Sequence, residues 1–219
     1  MEMGYFQPGI QVPKSKSIMS SAASRNREPI WNILKTHISK ETRSILEVSS
    51  GSGMHVTYFA QKCKEVHPNL QWTPSEYDKR CFTSINNYIQ SEDVAECVAS
   101  PLHIDVLDPA TWTQDLVDII LNINMIHITP FECSISLFQL AGKTLKSSGL
   151  LITYGPYSEN GVLIPESNVI FNESLKSMNS LWGIRDLSNL IELATDNGIT
   201  LKKTYNMPAN NKILVWEKQ

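Results

Sequence analysis

The sequence predicts an α/β protein built on a doubly wound, Rossmann-like parallel sheet, and three observations carry that expectation. Short apolar runs of strand character alternate with helical stretches between residues 44 and 154, which is the signature of βαβ units. The first of these runs ends in a loop of small residues and glycines, with a helix directly after it. Two strand-like runs close the chain around a short Asn-rich connector, as an antiparallel terminal pair would. With right-handed crossovers, this leaves a sheet covered by helices on both faces.

In chain order, residues 1–21 mix Pro, Gly, Ser and Lys without periodicity and read as a mobile tail, leaving 22–219 as a single domain. A helix is expected from Arg25, which puts Pro29 in the tolerated first turn and Ile30, Ile33, Leu34 and Ile38 at helical spacing. Strands are expected at 44–49, 70–73, 102–105, 116–124 and 149–154, and helices at 54–63, 80–91 and 132–145. Beyond Tyr154 a loop rich in Gly, Pro and Asn precedes weaker helical stretches at 166–178 and 187–197. Strand-like runs at 200–205 and 213–216 end the chain.

Composition narrows the function classes. A chain of 219 residues suits one α/β domain, and 19 basic against 22 acidic residues leave no positive excess to hold a nucleic-acid backbone. A small-molecule or protein partner is expected instead. Cys63, Cys81, Cys97 and Cys133 are widely spaced, and His37, His55, His67 and His103 lack partners at ligand spacing, so no metal is assigned. The N-terminus has no apolar core of a signal peptide. The most apolar stretch, 119–128, is short and broken by Asn122, Asn124 and His127. These features predict a cytoplasmic protein without a membrane span, with the nucleus as a second compartment.

The informative segment runs from Ile45 through Glu47 and Ser49 to Gly51 and Gly53. Glycines at a strand-to-helix turn let the backbone bend sharply and let a ligand come close. Glu47, between Leu46 and Val48 in a buried strand, is costly unless a cation or several donors satisfy it. The third glycine of a dinucleotide fingerprint would fall at Val56, and a carboxylate before the loop would repel a pyrophosphate. A nicotinamide cofactor is therefore disfavoured. S-adenosylmethionine, which carries an ammonium and a sulfonium and no phosphate, fits better.

Glu76 follows about 20 residues past the loop, where doubly wound folds place the acid that holds ribose hydroxyls. Asp78 competes for that role, or caps the next helix. Asp105, after the third strand, is a candidate for the adenine amino group, or a turn cap.

These residues, with Asn122, Asn124, His127 and Gly149 in order, resemble class I methyltransferases. More narrowly, the runs 25–30, 46–53, 122–127, 151–157, 182–186 and 206–212 resemble the methyltransferase-like protein 26 family. The resemblance covers the chain from residue 22 to its end. It implies a seven-stranded sheet whose last strand is antiparallel, S-adenosylmethionine as cofactor, and methyl transfer to an acceptor it does not define. Ser49 stands where the class usually has its first glycine. The resemblance also implies that Asn26 and Arg27 belong to a helix covering the cofactor, that Asn122 and Asn124 belong to the cofactor site, and that Asn124 lies where donor or acceptor is oriented.

On the acceptor side, His127 is a candidate base and Tyr157, with Tyr154 and Asn160, a candidate rim. Each has an ordinary structural alternative: a packed histidine and buried tyrosines. A methyltransferase fold that binds S-adenosylmethionine or a protein partner without turnover is the rival functional reading.

Overall fold

Runs of branched apolar residues become the strands of one central sheet. The computed structural model describes the backbone of residues 15–219 and side chains from residue 22 onward. The elements are α1 (Ser15–Leu34), β1 (Ser44–Val48), α2 (Met54–Cys63), β2 (Gln71–Glu76), α3 (Phe82–Ser91), β3 (Leu102–His103), β4 (Val117–Ile123) and α4 (Phe131–Thr144). They continue with β5 (Leu145–Gly155), β6 (Tyr157–Ser158), α5 (Glu166–Met178), β7 (Arg185–Asp186), α6 (Leu187–Asp196), β8 (Ile199–Met207) and β9 (Asn211–Lys218).

Seven strands form the sheet in the order β3-β2-β1-β4-β5-β9-β8. Its first five strands are parallel, and β9 runs antiparallel to both neighbours. This is the expected architecture, last strand included. Successive strand residues face opposite sides. Ile45, Leu121, Ile152 and Ile213 therefore pack beneath α1, α2 and α3, and Leu46, Ile120, Leu151 and Leu214 pack beneath α4 and α6. All parallel strands end at one edge, and the strand order reverses between β1 and β4. That crevice is where doubly wound folds take their ligands.

Several boundaries differ from expectation. Helix α1 begins at Ser15 rather than Arg25, so it extends into the segment read as a tail, whose residues 1–14 lie outside those described. Pro29 is consequently interior to the helix, where it removes one backbone bond at a cost of about 3 kcal/mol. Ile30 and Leu34, both fully buried, supply the packing that offsets it. Strand β2 continues through Pro74 to Glu76, β3 is two residues long, and β5 starts at Leu145 beside a bulge in its pairing with β4. The paired two-residue strands β6 and β7 are too short to show an alternation in sequence. Among the described residues no helix is long and apolar enough to cross a membrane.

Candidate functional site

At the carboxyl end of β1 the chain turns through three left-handed residues, Ser49 (φ 63°), Gly51 (φ 56°) and Gly53 (φ 89°). Ser49 adopts the conformation a glycine would take more cheaply, so the substitution keeps the turn and stores local strain. The loop is locked to β2 by Ser50 and Ser75. Ser50 N donates to Ser75 O at 2.8 Å, Ser75 N to Ser50 Oγ at 3.2 Å, and Ser75 Oγ to Glu47 O at 2.8 Å. The pairing of these two serines was not visible in sequence, because they stand 25 positions apart.

The two glycines do different work. A Cβ at Gly53 would lie 2.9 Å from Ile85 Cα, whereas at Gly51 it would meet nothing within 4 Å. Gly53 thus seats α2 against α3, and Gly51 leaves open room over the loop. Gly53→Ala should lower stability by about 3 kcal/mol in urea unfolding, combining strain and overlap. Gly51→Ala should cost about 1 kcal/mol.

Two carboxylates flank this loop. Glu47 is 1% exposed, and its Oε2 has no hydrogen-bond partner among the described residues. Burial pushes its pKa up to about 7, with the neighbouring Glu76 charge adding to the effect and a Ser50 hydrogen bond opposing it. Glu76 accepts from Gly51 N at 2.8 Å, Tyr77 N at 3.0 Å and Asp78 N at 3.3 Å. Its carboxylate is therefore fixed at the loop, with burial raising its pKa and those bonds lowering it. Asp78 is otherwise engaged: Arg80 pairs with it at 2.7 Å, and it caps the short turn that leads into α3. Asp105 Oδ1 accepts from Leu107 N at 2.9 Å, the turn cap that was its alternative reading.

Helix α1 crosses onto α2 beside the loop. Asn26 Oδ1 lies 2.8 Å from His55 Nε2, and burial raises the Tyr154 pKa, with the nearby Asn26 amide opposing that rise. Glu28 meets the Tyr58 hydroxyl, and the Arg27 guanidinium lies 4.5 Å above the Tyr58 ring. His55, whose pKa burial lowers to about 4, was invisible as a site residue because its partner is 29 positions away. Asn124 is left-handed (φ 63°) and donates from its backbone to Tyr154 O. Strand alternation puts Glu47 on the sheet face of Ile45 and Tyr154, which α1 covers.

Asn122 departs from that grouping. It points to the α4 side, where Nδ2 bonds Val48 O at 3.1 Å and Met125 Sδ at 3.5 Å, and Oδ1 stays unpartnered. Its observed role is to hold the end of β1 to β4.

The acceptor-side residues are divided as well. Tyr157, expected on a rim, packs with the α4–α6 core at 3% exposure. Its hydroxyl donates to Thr153 Oγ1 at 3.1 Å, and burial pushes its pKa upward. Ionisation for acid–base work is therefore unfavourable. His127 is also buried, its pKa lowered to about 4 by burial and the Arg185 charge, and the Phe171 ring of α5 meets its edge at 5.7 Å. It is neutral at pH 7, and the same burial and charge that keep it neutral oppose the uptake of a proton. Arg185 anchors the loop after β4 through Thr129 O at 2.7 Å, and Asp186 accepts from Ser158 Oγ at 2.8 Å and Gly161 N at 2.7 Å. That explains the chemistry of the 182–186 run. Tyr157 nevertheless lines, together with Asn160, a cleft of about 430 Å³ that opens toward the β8–β9 turn.

Among the described residues no group of three His, Cys, Asp or Glu side chains has metal-site geometry.

Three of the solved structures that share this fold are O-methyltransferases or members of such a family. An O-methyltransferase family protein from Burkholderia thailandensis matches with a TM-score of 0.78 at 12% identity, over 94% of this chain and 60% of that one. Mitomycin 7-O-methyltransferase matches at 0.77 and 12%, over 95% and 59%. An O-methyltransferase of neocarzinostatin biosynthesis, solved with S-adenosylmethionine and a hydroxy-methyl naphthoic acid, matches at 0.71 and 12%, over 94% and 57%. The chain spans about three fifths of the length of these proteins, and the likeness is one of fold. A family model matches residues 17–218, and the chain belongs to that family, the proteins of unknown function termed DUF938.

Proposed function

We propose that this chain is an S-adenosylmethionine-dependent methyltransferase whose cofactor lies between Glu47, the 49–53 loop and Glu76. The observation that carries the reading is the buried Glu47 carboxylate with one unpartnered oxygen. Burial there disfavours the ionised form, so the carboxylate calls for a cation when it ionises, and the amino group of S-adenosylmethionine is one. Glu76, fixed by three backbone donors, retains acceptor capacity for a ribose diol. Gly51 leaves room for a ligand against the loop. When bound, S-adenosylmethionine supplies an electrophilic methyl group on a good leaving group. The protein's part is to hold the donor, align the acceptor and exclude water. Helix α1, tied through Asn26 to His55, is suited to covering the cofactor, and His127 is the candidate base for a hydroxyl acceptor, a weak one while its pKa is held near 4. The runs 25–30 and 206–212 support placing the chain with the methyltransferase-like protein 26 family, and a cytoplasmic location accords with its composition.

The test is thermal. At one hundred times the dissociation constant, S-adenosylhomocysteine should stabilise the protein by about 2.7 kcal/mol, or roughly 5–10 °C. NAD should give no shift, and a shift with NAD alone would reverse the assignment. The buried Tyr157 hydroxyl and the covered His127 favour a second reading, a fold that binds the cofactor without turnover. Transfer of a labelled methyl group into any cell-extract component separates the two.

A further inference from the structure

Helix α5 is held to the rest of the domain by little. Only Asn168 and Leu175 of its 13 residues are buried, and among the described residues Leu175 belongs to neither core cluster. Asn168 Nδ2 reaches Asn210 O at 3.4 Å, and Asn172 Oδ1 accepts from Ile184 N at 2.8 Å. Phe171, which meets the edge of His127, is still 39% exposed. Ile164, Ile170, Met178 and Leu181, on the helix or just beyond its ends, are 70%, 60%, 62% and 59% exposed. A helix this short has little stability of its own, and apolar surface so concentrated marks a place where another molecule docks.

Helical spacing sorts that surface into two halves. Ser167, Ile170, Phe171, Ser174, Ser177 and Met178 share an arc of about 120° beside the buried Asn168–Leu175 line, and no charged residue falls within it. Glu166, Glu173 and Lys176 lie on the other exposed side. Depletion of charge at the centre of an apolar face is characteristic of protein–protein interfaces. One lysine against two glutamates on the polar side does not suit an anionic lipid surface, which basic faces seek. Two of the serine hydroxyls are already satisfied. Asn210 Nδ2 donates to Ser167 Oγ at 3.2 Å, and Ser177 Oγ donates to Ser174 O at 2.8 Å, so an apolar cover strands neither.

We infer that α5 is a homodimer surface, on which a second copy of this chain lays its own α5 antiparallel about a two-fold axis. Ser167, Phe171, Ser174 and Met178 follow at spacings of four, three and four residues, the seam of paired helices. That seam is self-complementary: in the antiparallel register Phe171 faces the partner's Ser174 and Met178 faces the partner's Ser167, large against small at each layer. The same register brings Leu181 toward the partner's Ile164 beyond the helix ends. A parallel pair would set Phe171 on Phe171 and leave a gap between facing serines. With roughly 200 Å² available to a full side chain of this size, the five exposed apolar ones offer about 600 Å² per copy. The serines between them bring the face toward the roughly 800 Å² that a stable dimer buries on each side. Because Phe171 also rests on His127, pairing fixes the helix that covers this histidine. The inference is independent of the methyl-transfer reading.

Sedimentation of the full chain tests this, and it should show a reversible dimer with a dissociation constant of about 10 µM or lower. Ile170→Lys and Met178→Lys each put a charge in the seam and should weaken the dimer at least about 30-fold. Val169→Lys, the same kind of change on the charged side, should leave it within about threefold. Circular dichroism checks that each variant is folded. Register is read by crosslinking with oxidised glutathione, the parent with its own cysteines serving as the blank. Ser167→Cys combined with Met178→Cys should give a disulfide-linked dimer. Ser167→Cys alone should not, since the two copies of residue 167 lie about 16 Å apart along an antiparallel pair. A chain that stays monomeric up to about 100 µM, a dimer that survives both seam lysines, or crosslinking of Ser167→Cys alone would overturn the inference. In such a monomer, a Met178 methyl resonance that moves when residues 1–14 are removed would assign the face to that segment instead.

Discussion

Glu47→Gln should make the free protein more stable at pH 8 and a far poorer binder of S-adenosylhomocysteine. The carboxyl is fully buried with a pKa raised from 4.5 to about 7. Between those values the folded state keeps a proton that the unfolded chain has released. The stability Glu47 contributes is thus complete below pH 4.5 and lost as pH rises through about 7. Such a displacement corresponds to about 3 kcal/mol. The glutamine variant escapes that loss, less the smaller cost of burying an amide. Its melting temperature should exceed the parent's by several degrees at pH 8, with the difference vanishing near pH 4. Over the same range the parent's affinity for S-adenosylhomocysteine should rise with pH, because the ionised carboxylate is the partner of the ligand's ammonium. In the variant affinity should be about 10- to 100-fold lower at pH 8 and nearly independent of pH. A variant less stable than the parent at pH 8 would show that the charge is satisfied by the protein itself.

Glu76→Ala should carry the other large effect on binding. Its carboxylate is held at the glycine loop by Gly51, Tyr77 and Asp78 N–H groups, so it needs little reorganisation to receive a diol. Hydrogen bonds to a charged group contribute about 1.5–3 kcal/mol each, and paired losses are seldom additive. Affinity for S-adenosylhomocysteine should fall about 10- to 100-fold by calorimetry. Asp78→Ala is the matched control. It removes a cap and an exposed Arg80 pair and should change affinity by less than about threefold. A larger loss from Asp78→Ala would transfer the ribose role to that residue.

Much of this was legible in the sequence where burial and periodicity coincide. The α2 and α5 boundaries fall at residues 54–63 and 166–178, as the apolar spacing predicts. Glu47 stood out because an acid flanked by Leu46 and Val48 has no solvent to face. The sequence was silent where roles depend on partners far along the chain. His55 finds Asn26, and Arg185 finds Thr129, only after α1 and β7 have docked. It misled where packing overrides local preference, as with Pro29 inside α1. Direction was also hidden. Two residues past Gly155, Tyr157 has crossed to the α4–α6 side, and Asn122 faces that side because strand alternation puts it opposite Leu121.

The central claim is that Glu47 receives the positive end of the cofactor. Carbon-13 NMR of its carboxyl group, titrated with and without saturating S-adenosylhomocysteine, tests it most directly. The free protein should titrate near 7, and the ligand should move that titration downward by at least one pH unit, since an ammonium partner favours the ionised form. A Glu47 carboxyl whose titration is unchanged when S-adenosylhomocysteine is bound would contradict the account.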